Sequence, residues 1–228
     1  MSECPQQKAH RYPASFMRMG LVEQNSYTGR YDRGGFALEL GLANLARLDT
    51  VRLSAPILQN RSEEIDQTVA LAMRGITERH AYARSKLGAC HCTLRTRIVL
   101  PLTTSATGLA LSAFYHSNDL KRQLDSELQS IAKTKNTPIS SLIKQLEKQL
   151  NEIRDHGISR ASGNLTPGIN GFSAPVFDHS GNMVAAITSL GTIGHFDMAW
   201  DSQLAVSIKA AAATLSIRLG HTHATKAP

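Results

Sequence analysis

The stretch PGINGFSAPVFDHSGNMVAAITSLG, residues 167–191, decides the fold. Within it, residues 172–177 and 183–190 are apolar runs of strand length, separated by Asp-His-Ser-Gly-Asn. Aspartate, serine, glycine and asparagine favour tight turns, because their side chains or their conformational freedom stabilise turn backbone. Two apolar runs joined in this way predict a β-hairpin with both strands in the core. Since hairpin strands are antiparallel, the surrounding sheet is predicted to be antiparallel as well.

The rest of the chain adds strands before this hairpin and helices on both sides of it. The two kinds of element are mixed without the strict alternation that a doubly wound sheet requires. The fold class is therefore predicted as α+β, with a central antiparallel sheet flanked by helices. The other predicted strands are 68–73, 79–84, 90–94 and 98–102, and the helices here are 50–64, 105–115, 117–132, 138–156 and 197–219.

The N-terminal residues 9–48 predict a separate set of short elements. Residues 9–19 predict a short helix ended by Gly20, with Pro13 restricting its start or kinking it. A small hairpin with Gly29 at its tip is predicted over residues 21–32. Residues 36–48 predict a helix that is apolar on two sides. A short helix of this kind packs between two partners, so it is the predicted contact of a homodimer.

Composition and charge narrow the class of protein. The 228 residues are 42% apolar, enough for a packed core, and carry a formal charge of +7. The positive charge is concentrated early, since residues 8–33 contain five basic side chains and only two acidic ones. Such a cluster is equally compatible with a nucleic-acid partner and with an ordinary solvated surface. The basic residues are Lys8, Arg11, Arg18, Arg30 and Arg33, and the acidic ones are Glu23 and Asp32.

The predicted location is the cytoplasm, without a membrane partner. Residues 1–15 lack the apolar segment of a signal peptide, and no run approaches the roughly 18 apolar residues of a membrane span. The three cysteines are an odd number, which does not suggest a disulfide scaffold.

The sequence contains few residues arranged for metal binding or for catalysis. Cys90-His91-Cys92 resembles a ligand cluster, but its spacing is unusual and it has no evident fourth partner, so packing is the preferred interpretation. Ser173 and Ser189 would need a fixed histidine and an acid to act as nucleophiles, and nothing in the sequence fixes His179 or His195. No recognised catalytic motif occurs. We therefore predict no enzyme activity, no metal and no cofactor.

Four segments in order resemble the IclR family of bacterial transcription regulators, over nearly all of residues 9–220. The final helix, which ends Ala-Thr-Leu-Ser-Ile-Arg-Leu-Gly, is one of them. The other three are the winged-helix-like AHRYPASFMRMGLVEQNSYTGRYDRGGFALELGLA from Ala9, LPLTTSATGLAL at 100–111, and the hairpin of residues 167–191. The order and spacing of the four pieces carry the resemblance, because each piece alone is weak.

The resemblance implies a domain organisation. Residues 1–35 would be part of a winged helix-turn-helix, 36–49 a linker helix, 50–222 a GAF-like effector-binding domain and 223–228 a flexible tail. Family members have further helices before the recognition helix, for which residues 1–8 leave no room. A truncated gene, a misassigned start or a degenerate family member would each account for this. We expect this chain by itself to bind operator DNA weakly or not at all.

The resemblance also implies two sets of binding residues. Recognition-helix and wing side chains would meet DNA, namely Lys8, His10, Arg11, Ser15, Arg30 and Tyr31. The effector would lie against a helix start, a loop and a strand. The matching positions are Ala106, Thr107, Ala161, Ser162, Gly171, Thr188 and Leu190. Because family binders of small acids carry more polar groups at several of these positions, a larger and more apolar acid, aromatic for instance, is expected here.

Two functions remain open at this point. The first is an effector-responsive, DNA-binding regulator of a catabolic operon, acting as a homodimer or homotetramer and sensing a small organic acid. The alternative is a small-molecule-binding and oligomerisation module that does not bind DNA on its own.

Overall fold

The computed structural model describes residues 11–74, 79–84, 93–96, 100–164 and 167–222. The chain divides into two compact units, residues 1–49 and residues 50–228.

The described part of the first unit contains two helices and a two-stranded hairpin, in the order α1 (Arg11–Arg18), β1 (Val22–Gln24), β2 (Tyr31–Arg33) and α2 (Gly35–Ala46). Helix α1 tolerates Pro13 because the proline lies in the first turn, where an amide donor has no intrahelical acceptor. The predicted hairpin is confirmed, with Glu23 opposite Asp32 and Gly29 at a φ of +67°.

The second unit is built on a mixed set of helices and strands. Their order is α3 (Thr50–Ile65), β3 (Thr68–Arg74), β4 (Arg79–Arg84), β5 (Thr93–Thr96), α4 (Ala106–Phe114), α5 (Asn118–Lys135), α6 (Ile139–His156), β6 (Ser159–Ser162), β7 (Ile169–Phe177), β8 (Met183–Thr192) and α7 (Gln203–Arg218). Among the described residues, six strands form one antiparallel sheet in the order β5-β4-β3-β8-β7-β6. The predicted α+β class is confirmed.

The hairpin on which the prediction rests is β7 and β8, of which β8 is central in this sheet and β7 lies between β8 and the edge strand β6. Asp178 organises its turn by accepting hydrogen bonds from the amides of Ser180 at 2.8 Å and Asn182 at 2.9 Å. Gly181 follows with a φ of +78°, which glycine adopts without a steric penalty. Pro175 fits inside β7 because the pairing of β6 with β7 ends at Ser173. The missing amide of the proline therefore costs no ladder hydrogen bond on that side.

Helices cover both faces of the sheet. Helices α3 and α7 pack against each other and against β3, β7 and β8. Helix α4 packs on β6, β7 and β8 from the other face, because α7 already covers β7 and β8 on the first, and α6 packs on α4. Among the described residues the deepest side chains include Leu71, Leu109, Phe172 and Ile187, each at most 1% exposed. The described helices include none long and apolar enough to cross a bilayer.

Two predicted elements were wrong at one end. The last helix begins at Gln203 rather than near Asp197, because Ser202 caps it by accepting a hydrogen bond from the amide of Ala205. The predicted strand over 98–102 fails at its described end, where Leu100 and Pro101 are irregular and Leu102 lies in a turn. The predicted strand over 90–94 falls partly outside the described residues, and β5 begins at Thr93.

Candidate functional site

The start of helix α4 is the first component of the candidate effector site. Ser105 caps it, with its Oγ accepting a hydrogen bond from the amide of Gly108 at 2.9 Å. The amides at the start of a helix have no carbonyl one turn earlier, so they carry partial positive charge. Helix α4 begins at Ala106, and Ala106 and Thr107 are both buried.

The turn before α4 is held from helix α5. The carboxylate of Glu127 accepts hydrogen bonds from the amide of Leu102 at 2.8 Å and from the amide of Thr103 at 3.0 Å. The hydroxyl of Thr103 donates a third at 2.6 Å. Gly108 then lets α4 lie directly on this turn, since a Cβ there would overlap the carbonyl of Pro101. The helix start is therefore positioned by two independent interactions: the hydrogen bonds of Glu127 to the turn and the close packing of Gly108 on it.

A buried cluster of three hydroxyls is the second component. Thr188 on β8 shares one hydrogen bond of 2.8 Å with Thr107 on α4, and another of 2.8 Å with Ser173 on β7. The three side chains, each at most 5% exposed, thus join one helix to two strands. Ser159 extends the network by donating to the carbonyl of Ala106 at 2.6 Å. These hydroxyls could reorient toward a ligand that offers an acceptor.

An apolar row across the sheet is the third component. Gly171 on β7 lies opposite Ala161 on β6 and opposite Leu190 on β8. Its missing side chain leaves room that Leu190 uses, because a Cβ on Gly171 would lie 2.9 Å from the Cδ2 of Leu190 and 3.6 Å from the Cβ of Ala106. Leu190 is still 39% exposed.

The structure brings six of the seven predicted effector-binding residues to one place and leaves one apart. Cross-strand pairing and the contacts above put Ala106, Thr107, Ala161, Gly171, Thr188 and Leu190 on the same side of the sheet. Ser162 is exposed and alternates to the opposite side of β6. Sequence reasoning did not assign Ser173 or Ser159 to the effector site, although the strand period of two puts Ser173 on the same face as Gly171.

The predicted DNA-binding residues are only partly within the described range. Lys8 and His10 fall outside it. Arg11 and Ser15 belong to α1, with Ser15 exposed. Arg30 precedes β2 and is exposed, and Tyr31 begins that strand with 48% of its surface exposed.

The residues considered for metal binding and for catalysis lie partly within the described ranges. Cys90-His91-Cys92 lies outside the described residues. Within the described ranges, no group of three or more histidine, cysteine, aspartate or glutamate side chains could hold a metal ion. The Ser173 hydroxyl is hydrogen-bonded to Thr188, and the Ser189 hydroxyl is buried without a hydrogen-bond partner among the described residues.

Comparison with known proteins decides the family. Residues 42–217 match the family described as bacterial transcriptional regulator IclR C-terminal. The chain belongs to the IclR family. It is a transcription regulator by family, and not an enzyme, as predicted.

Relatives of this IclR-family chain support the same class. The HTH-type transcriptional regulator KipR of Bacillus subtilis is 25% identical over 221 residues, which are 96% of this chain and 86% of the relative. The HTH-type transcriptional regulator BhcR of Paracoccus denitrificans is 29% identical over 189 residues, 80% of this chain but only 64% of the relative. The crystal structure of Pseudomonas aeruginosa HmgR superimposes with a TM-score of 0.80 at 27% identity, covering 96% of this chain and 87% of that one.

Proposed function

We propose that this IclR-family chain regulates a catabolic operon by sensing a small organic acid beside the start of helix α4. The observation that carries the proposal is the buried hydroxyl cluster of Thr107, Ser173 and Thr188, which joins that helix to two strands of the sheet. A ligand bound there would contact three separate elements at once. Binding could then change their relative positions, as a sensor requires.

The chemistry of these residues favours an acid with an apolar body. A carboxylate would accept hydrogen bonds from the amides at the start of α4 and from the threonine hydroxyls. The rest of the ligand would meet Ala161, Gly171 and Leu190, which offer no polar side-chain atom. Ser162, which alternates to the other side of β6, would not contact it. We therefore propose an aromatic carboxylate over a two-carbon acid such as glyoxylate.

Calorimetry with benzoate and glyoxylate tests this site. We expect benzoate to bind at least about tenfold more tightly than glyoxylate, which corresponds to about 1.4 kcal/mol. Thr188→Val keeps the side-chain shape and removes the central hydroxyl, so benzoate affinity should fall by about tenfold. The matched control is Thr214→Val, because Thr214 is exposed on α7. Tighter binding of glyoxylate, or equal benzoate affinity in both variants, would refute the proposal.

We propose a homodimer, or a homotetramer built from it, through helix α2. The helix has no buried residue in this chain. Its large side chains Phe36, Leu38, Leu40 and Leu42 are between 43% and 66% exposed. Because residues four apart share one side of a helix, Phe36 with Leu40 and Leu38 with Leu42 give α2 an exposed apolar surface on two sides, and such a surface marks an interaction site. A second copy of the helix would cover it and would give the two-fold symmetry with which regulators meet palindromic DNA.

DNA would be contacted by the predicted set of residues: Lys8, His10, Arg11 and Ser15 would meet base edges, and Arg30 and Tyr31 of the β1–β2 hairpin would approach phosphate or the minor groove. Basic side chains on such elements neutralise phosphates, so the affinity should fall steeply with salt. The alternative function is a small-molecule-binding and oligomerisation module that cannot bind DNA by itself. The observation that favours it is that Gly34 is the only buried residue among residues 12–49, so the described part of this unit has little core.

Gel shifts at about 50 and 200 mM salt distinguish the regulator from the module. The duplexes would be selected from a random pool, and the mass of the free protein would be measured by sedimentation. For this chain alone we expect a mass of two or four copies and micromolar or weaker, salt-sensitive retention. Nanomolar sequence-specific retention at the higher salt would contradict the module, and a mass of one copy would contradict the dimer.

A further inference from the structure

A cavity adjoins the proposed effector site. It has a volume of about 650 Å³ and is bounded by helices α5 and α6, strand β6 and the segment Met198–Trp200. Ala161 of the proposed effector site lines it together with Ser162, but Thr107, Gly171, Thr188 and Leu190 do not line it. We propose that this cavity is a second small-molecule site, which takes an amphipathic organic carboxylate. The inference goes beyond the proposed function and does not depend on it.

The inner wall of the cavity is apolar. Leu128 of α5 and Leu146 and Ile153 of α6 line it, and all three are buried, at most 7% exposed. Leu142 and Ile131 continue this wall and are half-buried. Ligand sites commonly have about 300–1,000 Å³ and apolar linings with a few polar groups. The volume is therefore suitable for an organic molecule larger than a two-carbon acid.

The charge at the cavity rim favours an anion. Three cationic side chains line the cavity, Lys135, Lys148 and Arg160, against a single carboxylate, Glu152. None of the three cations forms an ion pair with a carboxylate among the described residues. Lys135 and Lys148 are exposed and Arg160 is half-buried, so the positive charge lies at the outer part of the cavity. A ligand with an apolar body and one carboxylate would match the apolar inner wall and the positively charged rim.

A three-layer stack holds one wall in place. The rings of His156 and Trp200 are parallel within 8°, with centroids 4.3 Å apart. The Cζ of Arg160 lies 4.0 Å from the Trp200 ring centroid. Two planar groups at such short distances from one ring must occupy opposite faces of that ring. The Trp200 ring therefore lies between the imidazole of His156 and the guanidinium of Arg160. Arg160 also donates a hydrogen bond of 2.7 Å to the carbonyl of Met198, which ties β6 to this segment.

Trp200 gives the proposal a direct readout, because it is the only tryptophan in the sequence and lines the cavity. The probes are 4-phenylbutyrate and its neutral analogue 4-phenylbutanol. We expect a saturable change in tryptophan fluorescence with the acid, and at least about tenfold weaker binding of the alcohol. The double variant Lys135→Gln/Lys148→Gln should bind the acid about tenfold more weakly. Lys144→Gln, an exposed position on α6 that does not line the cavity, is the matched control.

Thr188→Val separates this site from the proposed effector site. The fluorescence response to 4-phenylbutyrate should survive in this variant, whether or not benzoate binding does. The proposal is overturned if the acid causes no saturable change at millimolar concentration, or if Thr188→Val removes the response and the double lysine variant does not. It is also overturned if the double variant changes the sedimenting mass while the acid fails to bind, since a second copy of the chain would then cover the cavity.

Discussion

Replacing Gly108 with alanine should destabilise the second unit by about 3 kcal/mol, despite the higher helix propensity of alanine. In an exposed helix interior this exchange would stabilise by about 1 kcal/mol. Here the added Cβ would overlap the carbonyl oxygen of Pro101 and lie 2.7 Å from the Cα of Leu102. Both are backbone atoms, so no side-chain rotation can relieve the overlap. The steric term therefore exceeds the propensity term, and α4 must move away from the turn.

Urea unfolding followed by circular dichroism measures this effect. The matched control is Gly194→Ala, because a Cβ at Gly194 meets nothing within 4 Å and the residue needs no positive φ. We expect the control to stay within about 0.5 kcal/mol of the parent chain. If Gly108→Ala were as stable as that control, the close approach of α4 to the Pro101 carbonyl would be wrong.

Replacing Glu127 with alanine should lower the free energy of unfolding by about 2–4 kcal/mol. The carboxylate accepts three hydrogen bonds from two consecutive residues, Leu102 and Thr103. Hydrogen bonds to a charged acceptor are stronger than neutral ones, and the donors left behind would be partly buried. The midpoint of thermal unfolding should fall by about 4–16 °C for a unit of this size.

The control for Glu127 is Glu147→Ala, an exposed residue on α6. Its removal should change the stability by less than about 0.5 kcal/mol. Because Glu127 holds the turn that precedes the proposed effector site, its loss should also weaken benzoate binding in the calorimetric experiment. A stable Glu127→Ala variant would mean that the turn is held by the Ser105 cap and the packing of Gly108 alone.

Local patterns predicted most elements of the second unit. The Asp-His-Ser-Gly-Asn turn gave the β7–β8 hairpin, and Pro138 and Gly157 bracketed α6, where Pro138 is the N-cap and Gly157 ends the helix at a φ of +67°. The start of the last helix was predicted too early because two local signals compete there. Residues 197–202 are compatible with a helix, but Ser202 supplies a cap that starts it later.

The candidate sites were less predictable than the elements. The resemblance to the IclR family pointed to Thr107 and Thr188, and strand alternation could have added Ser173. Nothing in the sequence indicated that Arg160, Trp200 and His156 would stack, because Trp200 lies on a loop far along the chain from the helix end and the strand that carry the other two residues. Their distances depend on how α6 and the segment before α7 pack beside β6.

The amino-acid order by itself determined most of the strands, turns and helix ends, and which family the chain joins, because turn chemistry and periodicity act over a few neighbouring residues. Only the tertiary structure decided which hydroxyls meet around Thr188, that Gly108 lies on the Pro101 carbonyl, and that a charged cavity opens beside Trp200. Those features join residues up to 81 positions apart, as in the Thr107–Thr188 hydrogen bond, so they arise from the packing of whole elements rather than from local preference.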